Sequence, residues 1–236
     1  MPHQTLTVRT TYDTASDRGP RDLNADAVAA HTDESTGRMA FVVADGVGDQ
    51  LLAARAARLV AETAAVAAAR SGALNGLLQA QQELHRQFPQ AEADCVLVVA
   101  VLPPAGSTEE VGDVAWVGDC RAYRWNGRVL HQITVDHTLA EFWRLHGVTP
   151  APRLEHLVTD SARTAKTTDI GRARIGAGPA RLLLSTDGVH KSLDLVQLKD
   201  ILAEPFTATR AATALVTAAR TFGSRDNATA MVIDRT

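Results

Sequence analysis

Residues 41–50 read FVVADGVGDQ, a short apolar run that stops abruptly at Asp45-Gly46. The same form recurs in VAWVGDCRAY (114–123), which stops at Gly118-Asp119, and in RLLLSTDGVH (181–190), which stops at Asp187-Gly188. Taken singly, each ending is ordinary turn chemistry, because an aspartate side chain hydrogen-bonds the local backbone where a strand ends. Taken together they have a second reading. A buried strand fixes its last residue rigidly, and several strands of a sheet sandwich can present their ends side by side. Carboxylates delivered to one point repel one another unless cations lie between them. Hard oxygen ligands without histidine or cysteine partners favour Mg²⁺ or Mn²⁺. Asp226, in GSRDNATAMVID, and Asp26, in PRDLNADAV, are further candidates of the same kind.

Outward from these stretches, residues 38–44 and 93–102 (ADCVLVVAVL) are short and rich in Val, Leu and Phe, as buried strands are. Two helical patterns lie between them. Leu52, Ala56, Leu59, Thr63 and Val66 share one face of the first, and Leu74, Leu77, Leu78, Leu84 and Phe88 one face of the second, with Ser71-Gly72 as the break. PPAGSTEEVGD (103–113) is a polar loop between strands. In RAYRWNGRVLHQI (121–133), Asn126-Gly127 between runs of alternating bulky residues predicts a type I′ hairpin. VDHTLAEFWRLHG (135–147) predicts a capped helix with Gly147 at C′, and 148–166 an irregular, exposed segment. A strand at 180–186, helices near 194–203 and 207–221, and a last strand at 227–234 complete the chain. This order lacks the βαβα alternation of a parallel sheet. It predicts an α+β fold in one domain over 1–236, a central antiparallel β-sandwich flanked by helices.

Composition narrows the function classes. The 236 residues are 45% hydrophobic and 22% charged, enough to bury a full core. No run approaches a membrane span, and MPHQTLTVRT lacks the form of a secretion signal, so the expected location is the cytoplasm. A net charge of -3 gives no electrostatic case for nucleic acid or an anionic membrane as partner. Cys95 and Cys120 read as small core residues, with no CxxC pair to hold zinc. Of 24 basic residues only Lys166, Lys191 and Lys199 are lysine. There is no GxxxxGK loop, no GxSxG elbow and no HxxxH pair, and neither cysteine has an arginine six residues on, as a cysteine phosphatase requires.

RDLNADAV (21–28), VVADGVGD (42–49), WVGDCRAYRWNGRVLHQITVDHTL (116–139), LLLSTDGV (182–189) and SRDNATAMVID (224–234) resemble, in order, the motif set of bacterial PP2C-type metal-dependent serine/threonine protein phosphatases. The resemblance covers nearly the whole chain and implies a β-sandwich flanked by helices. It implies hydrolysis of a phosphorylated protein substrate by a metal-bridged water, using Mn²⁺ or Mg²⁺, two ions with a third held more weakly. Asp45 would bridge two ions, and the Gly46 carbonyl would bind the second, directly or through water. Asp187 and Asp226 would complete the shell of the first ion, Asp119 would help hold the third ion, and Asp26 would stand in the outer shell of the second. Arg21 would grip the substrate phosphate.

The sequence also departs from that motif set. Ala25 stands where the family has glutamate, Asp49 where it has glycine and Cys120 where it has serine. Residues 148–166 match the family's flap poorly, with His156 the one trace of its His-Pro, and Val47 stands where eukaryotic members have a histidine. Two functions follow: an active phosphatase, or a pseudophosphatase that binds phosphoproteins as a regulatory module. The second metal position, which lacks a carboxylate at Ala25, discriminates between them.

Overall fold

Cys95–Leu102 is buried at every position, which a strand with one wet face cannot be. Its side chains alternate between two cores. Cys95, Leu97, Val99 and Val101 pack with an alanine-rich helix pair, while Val96, Val98, Ala100 and Leu102 face a second sheet. A continuous apolar run is here the mark of a strand covered on both sides.

The structure, a computed structural model, describes residues 9–48, 51–90, 93–104, 107, 111–176 and 178–236. The chain runs β1 (Thr10–Asp17), β2 (Asp26–Thr32), β3 (Met39–Gly46), α1 (Leu51–Ser71), α2 (Ala73–Gln87), β4 (Cys95–Leu102), β5 (Gly112–Val117), β6 (Arg121–Trp125) and β7 (Leu130–Gln132). It continues with α3 (Leu139–Leu145), β8 (Gly171–Ile175), β9 (Ala180–Ser185), α4 (Asp187–His190), α5 (Leu195–Ala203), α6 (Ala208–Thr221) and β10 (Ala228–Arg235). The strands form two five-stranded sheets, β1-β10-β9-β6-β7 and β2-β3-β4-β5-β8. All pairings between these strands are antiparallel. Phe41, Val43, Leu182, Leu184, Met231 and Ile233 fill the space between the sheets. Leu183, Val232, Leu198 and Leu215 form the core under α5 and α6. The result is the expected helix–sheet–sheet–helix stacking.

Four local expectations need correction. The buried face of α1 is its alanine face, Ala53, Ala57, Val60, Ala61, Ala64 and Ala68 among others, whereas Val66 is exposed. Small side chains let the helix lie close on the sheet and on α2, so volume, not hydrophobicity alone, sets the face. The β6–β7 turn is not type I′. Its closing pair is Trp125↔Leu130, Gly127 alone has a positive φ in it (+87°), and the Asn126 side chain instead accepts from the Arg128 and Val129 amides at 2.9 and 2.8 Å. Segment 148–166 is not wholly loose, because Ser161, Ala162 and Ala165 are buried and Ser161 Oγ donates to Asp94 Oδ2 at 2.5 Å. Finally, β1, β2 and β8 lie in stretches where the residue pattern announces no strand.

Helix α3 ends as expected. Thr138 caps its start by accepting from the Glu141 amide. At its end the Gly147 and Val148 amides donate to the Arg144 and Trp143 carbonyls at 2.9 Å each, the paired bonds of a Schellman motif.

Gly118 carries the chain out of β5 toward the other sheet at φ +82°, and a Cβ there would meet Val96 Cγ1 at 2.1 Å. A side chain would therefore bring both backbone strain and a clash with a core valine. Gly118→Ala is expected to destabilise by roughly 2–4 kcal/mol in urea titration. Gly127→Ala, with the same sign of φ and nothing within 4 Å of its Cβ, should lose only roughly 1 kcal/mol. Equal losses at the two positions would show that Val96 moves aside freely.

Candidate functional site

Antiparallel register decides where the aspartates go. Asp26 opens β2 directly opposite Asp45, near the end of β3. Ser185, the last residue of β9, pairs with both Ala230 of β10 and Arg121 at the start of β6. The ends of β3, β5 and β9 and the starts of β2, β4, β6 and β10 thus lie at one end of the sandwich. Asp119 sits where the chain crosses from β5 in one sheet to β6 in the other, Asp187 is the first residue of α4, and Asp226 lies just before β10. Arg21, Asp45, Gly46, Asp119, Asp187 and Asp226 line one open cleft of about 570 Å³, which His156 and Lys191 also line. Asp26 is not part of that wall.

Each carboxylate has its own surroundings. Burial, reinforced by the charges of Asp26, Asp187, Asp119 and Asp226, pushes the Asp45 pKa well above the usual carboxylate range. Burial likewise raises Asp26 to about 7, against hydrogen bonds from Thr229 and Thr186. Those bonds, at 2.6 and 3.0 Å, both reach Asp26 Oδ2, and Oδ1 is buried with no partner. Asp187 Oδ1 is buried and unpartnered in the same way. Asp119 is raised by burial although Lys191 opposes the shift.

Cationic side chains stand among these groups. Lys191 Nζ donates to Asp119 Oδ2 at 2.6 Å and to Asp187 Oδ2 at 3.0 Å. Burial works against its charge, but Asp187 and Asp119 outweigh it and hold its pKa above that of an ordinary lysine. Arg21 Nη2 donates to Asp226 Oδ2 at 2.8 Å, and Asp226 Oδ1 accepts from the Asn227 amide at 2.8 Å. His156 Nδ1 is 3.9 Å from Asp187 Oδ2. Among the described residues no three His, Cys, Asp or Glu side chains are grouped so as to hold a metal ion by themselves. Ala25 is buried, 3% exposed, and its amide donates to Asn227 Oδ1 at 2.7 Å. Asp49 lies outside the described residues.

Residue patterns alone miss the partners. Thr186, Thr229 and Asn227 meet Asp26 and Ala25 only through the tertiary fold. Lys191 had a local signal: it follows Asp187 by one helical turn, so the two side chains share a helix face.

The raised carboxylates have a consequence for stability. Asp26 has a folded pKa near 7 against 3.8 when free, so between those pH values the folded state holds a proton that the unfolded state has lost. Stability is therefore greatest at the acidic side of this window and falls as pH rises toward and through 7. For chelator-treated protein Asp26 alone is expected to contribute a loss of roughly 3 kcal/mol from pH 5 to pH 8, or roughly 5–10 °C in thermal midpoint. Asp26→Asn should make the fall shallower, with the raised Asp45 carboxyl still contributing to it. A midpoint that rises over this range would contradict the burial argument.

No family model matches the chain. The serine/threonine phosphatase stp of Listeria monocytogenes is 25% identical over 164 residues, 65% of this chain and 65% of that protein. The matched stretch thus spans about two-thirds of that relative's length. The PPM Ser-Thr phosphatase MsPP of Mycobacterium smegmatis, solved in complex with cacodylate, superposes with a TM-score of 0.73 at 26% identity, over 95% of this chain and 97% of that one. Serine/threonine phosphatase Stp1 of Staphylococcus aureus superposes at 0.82 with 22% identity, over 100% of this chain and 98% of that one. Ordered motifs, sandwich topology and these likenesses agree: in sequence and fold the chain is similar to bacterial PP2C-type serine/threonine phosphatases.

Proposed function

We propose that this chain is a Mn²⁺- or Mg²⁺-dependent phosphatase of phosphoserine and phosphothreonine in cytoplasmic proteins. The observation that carries the reading is the delivery of Asp45, Asp119, Asp187 and Asp226 from separate strand ends to one cleft, with Arg21 beside them. No helix among the described residues is long and apolar enough to cross a membrane.

The donor set fits hard divalent cations. It consists of carboxylate oxygens, two of them buried without a partner, on Asp26 and Asp187. Because no three of these side chains form a ready cage, ligation would draw on the Gly46 carbonyl and on water, which Mg²⁺ and Mn²⁺ readily keep. Asp45, Asp187 and Asp226 would hold the ions, with Asp26 behind Asp45 in the ladder as an outer partner. Such ions supply activation of water and neutralisation of phosphoryl charge. Arg21 presents a planar fork suited to two phosphate oxygens. Its ion pair with Asp226 keeps that fork at the cleft before substrate arrives. Bound ions would hold Asp45 and Asp26 ionised, since a nearby cation opposes the burial and the repulsion that raise them.

The test is hydrolysis of p-nitrophenyl phosphate and of a phosphothreonine peptide with Mn²⁺, with and without EDTA. Turnover that needs Mn²⁺ and stops in EDTA is expected. Asp45→Asn should lower kcat by roughly 10³-fold or more with the circular-dichroism spectrum unchanged, since an amide cannot hold two cations at one oxygen. Near-normal turnover in that variant would remove Asp45 from its role, and a folded wild type without turnover at any Mn²⁺ level would favour the binding-module reading.

Ala25 carries a separate expectation. Without a carboxylate there, ions in the cleft should bind weakly, and half-maximal rate should need Mn²⁺ on the order of millimolar. Ala25→Glu should lower that concentration roughly tenfold. An unchanged requirement would mean that Asp26 and water already serve that position.

A further inference from the structure

The cleft has a cation of its own. Lys191 Nζ lies between Asp119 and Asp187, donating to both at 2.6 and 3.0 Å. All three side chains are largely withdrawn from solvent, 15%, 5% and 15% exposed for Lys191, Asp119 and Asp187. The contact is built into the backbone. The Lys191 amide donates to the Asp187 carbonyl at 2.9 Å, so one helical turn carries the ammonium over Asp187.

We propose that Lys191 is a resident cation that takes the place between Asp119 and Asp187, so that these two carboxylates do not share a divalent ion. An ammonium tethered by its own backbone is always present there, whereas a free divalent ion must shed water to enter. To bind both oxygens, that ion would have to displace Lys191 and leave a charged side chain without its partners in a half-buried wall. The Asp119 edge is thereby neutralised independently of the metal supply. Lys191 lines the cleft and has three N–H donors, of which the two aspartates use two. The third is available to an anion such as a phosphoryl oxygen. This inference deepens the phosphatase reading of the same cleft, and it replaces the expectation that Asp119 helps to hold a third ion.

The experiment counts bound Mn²⁺ by equilibrium dialysis with electron paramagnetic resonance of the free ion at millimolar Mn²⁺. The proteins compared are the wild type, Lys191→Gln, Asp119→Asn and the double variant. Lys191→Gln is expected to bind one more Mn²⁺ per chain than the wild type. Asp119→Asn alone should bind the wild-type number, and adding it to Lys191→Gln should remove the extra ion. An unchanged count in Lys191→Gln, or one ion fewer in Asp119→Asn, overturns the proposal. Should Lys191→Gln not fold, the Asp119→Asn count decides alone. Assay of the wild type on p-nitrophenyl phosphate separates the two readings: no turnover sinks the phosphatase, while the count still judges Lys191.

Discussion

Repulsion between like charges is the constraint around which the end of this sandwich is organised. Antiparallel pairing brings Asp26 and Asp45 opposite each other in one sheet, while Asp187 and Asp226 come from the other. Burial, and then the charge of each neighbour, raises the energy of the ionised forms of Asp45 and Asp26, so both carboxyls are held above the usual carboxylate range. The protein answers partly with its own groups, Lys191, Arg21 and the hydroxyls of Thr186 and Thr229. What those leave unsatisfied, the lone oxygens of Asp26 and Asp187, is capacity for something else that is positive.

Such crowding persists only on a rigid support. β3 and β4 are covered on both faces, by the helix pair α1–α2 on one side and by the second sheet on the other. Strands packed in this way cannot slip register, since a one-residue shift would exchange the two cores. The alanine surface of α1 adds to the stiffness by allowing close approach. The geometry of the cleft is thus a by-product of packing that takes place well away from it.

Much of this was legible in the sequence. ADCVLVVAVL announces a buried strand by its unbroken apolar character, Ser71-Gly72 marks the helix break, and the three Asp endings point to one convergence. The misses have physical reasons. The larger residues of α1 suggest the wrong face: Leu59 and Val66 lie outside the buried stripe, which is alanine throughout except for Val60. The Asn126-Gly127 dipeptide favours a type I′ turn, yet the asparagine side chain bonds the backbone amides and its own φ stays negative. In β1 (TTYDTASD) half of the positions are exposed and the rest partly buried, and in β2 (DAVAAHT) all but the last are partly buried, so neither shows a clean alternation. The partners of Asp26 are distant in sequence and carry no local signal at all.

One contact of Asp26 reaches beyond charge. Asp26 belongs to the β2–β3 sheet, yet its Oδ2 accepts from Thr229 on β10 and Thr186 after β9, both in or next to the opposite sheet. The carboxylate is therefore a clasp across the sandwich, at the edge where Asp119 also marks the crossing of the chain between sheets. The cleft beside this clasp is lined from both layers, by Asp45 on one side and by Asp187 and Asp226 on the other, so its mouth is also the seam of the sandwich.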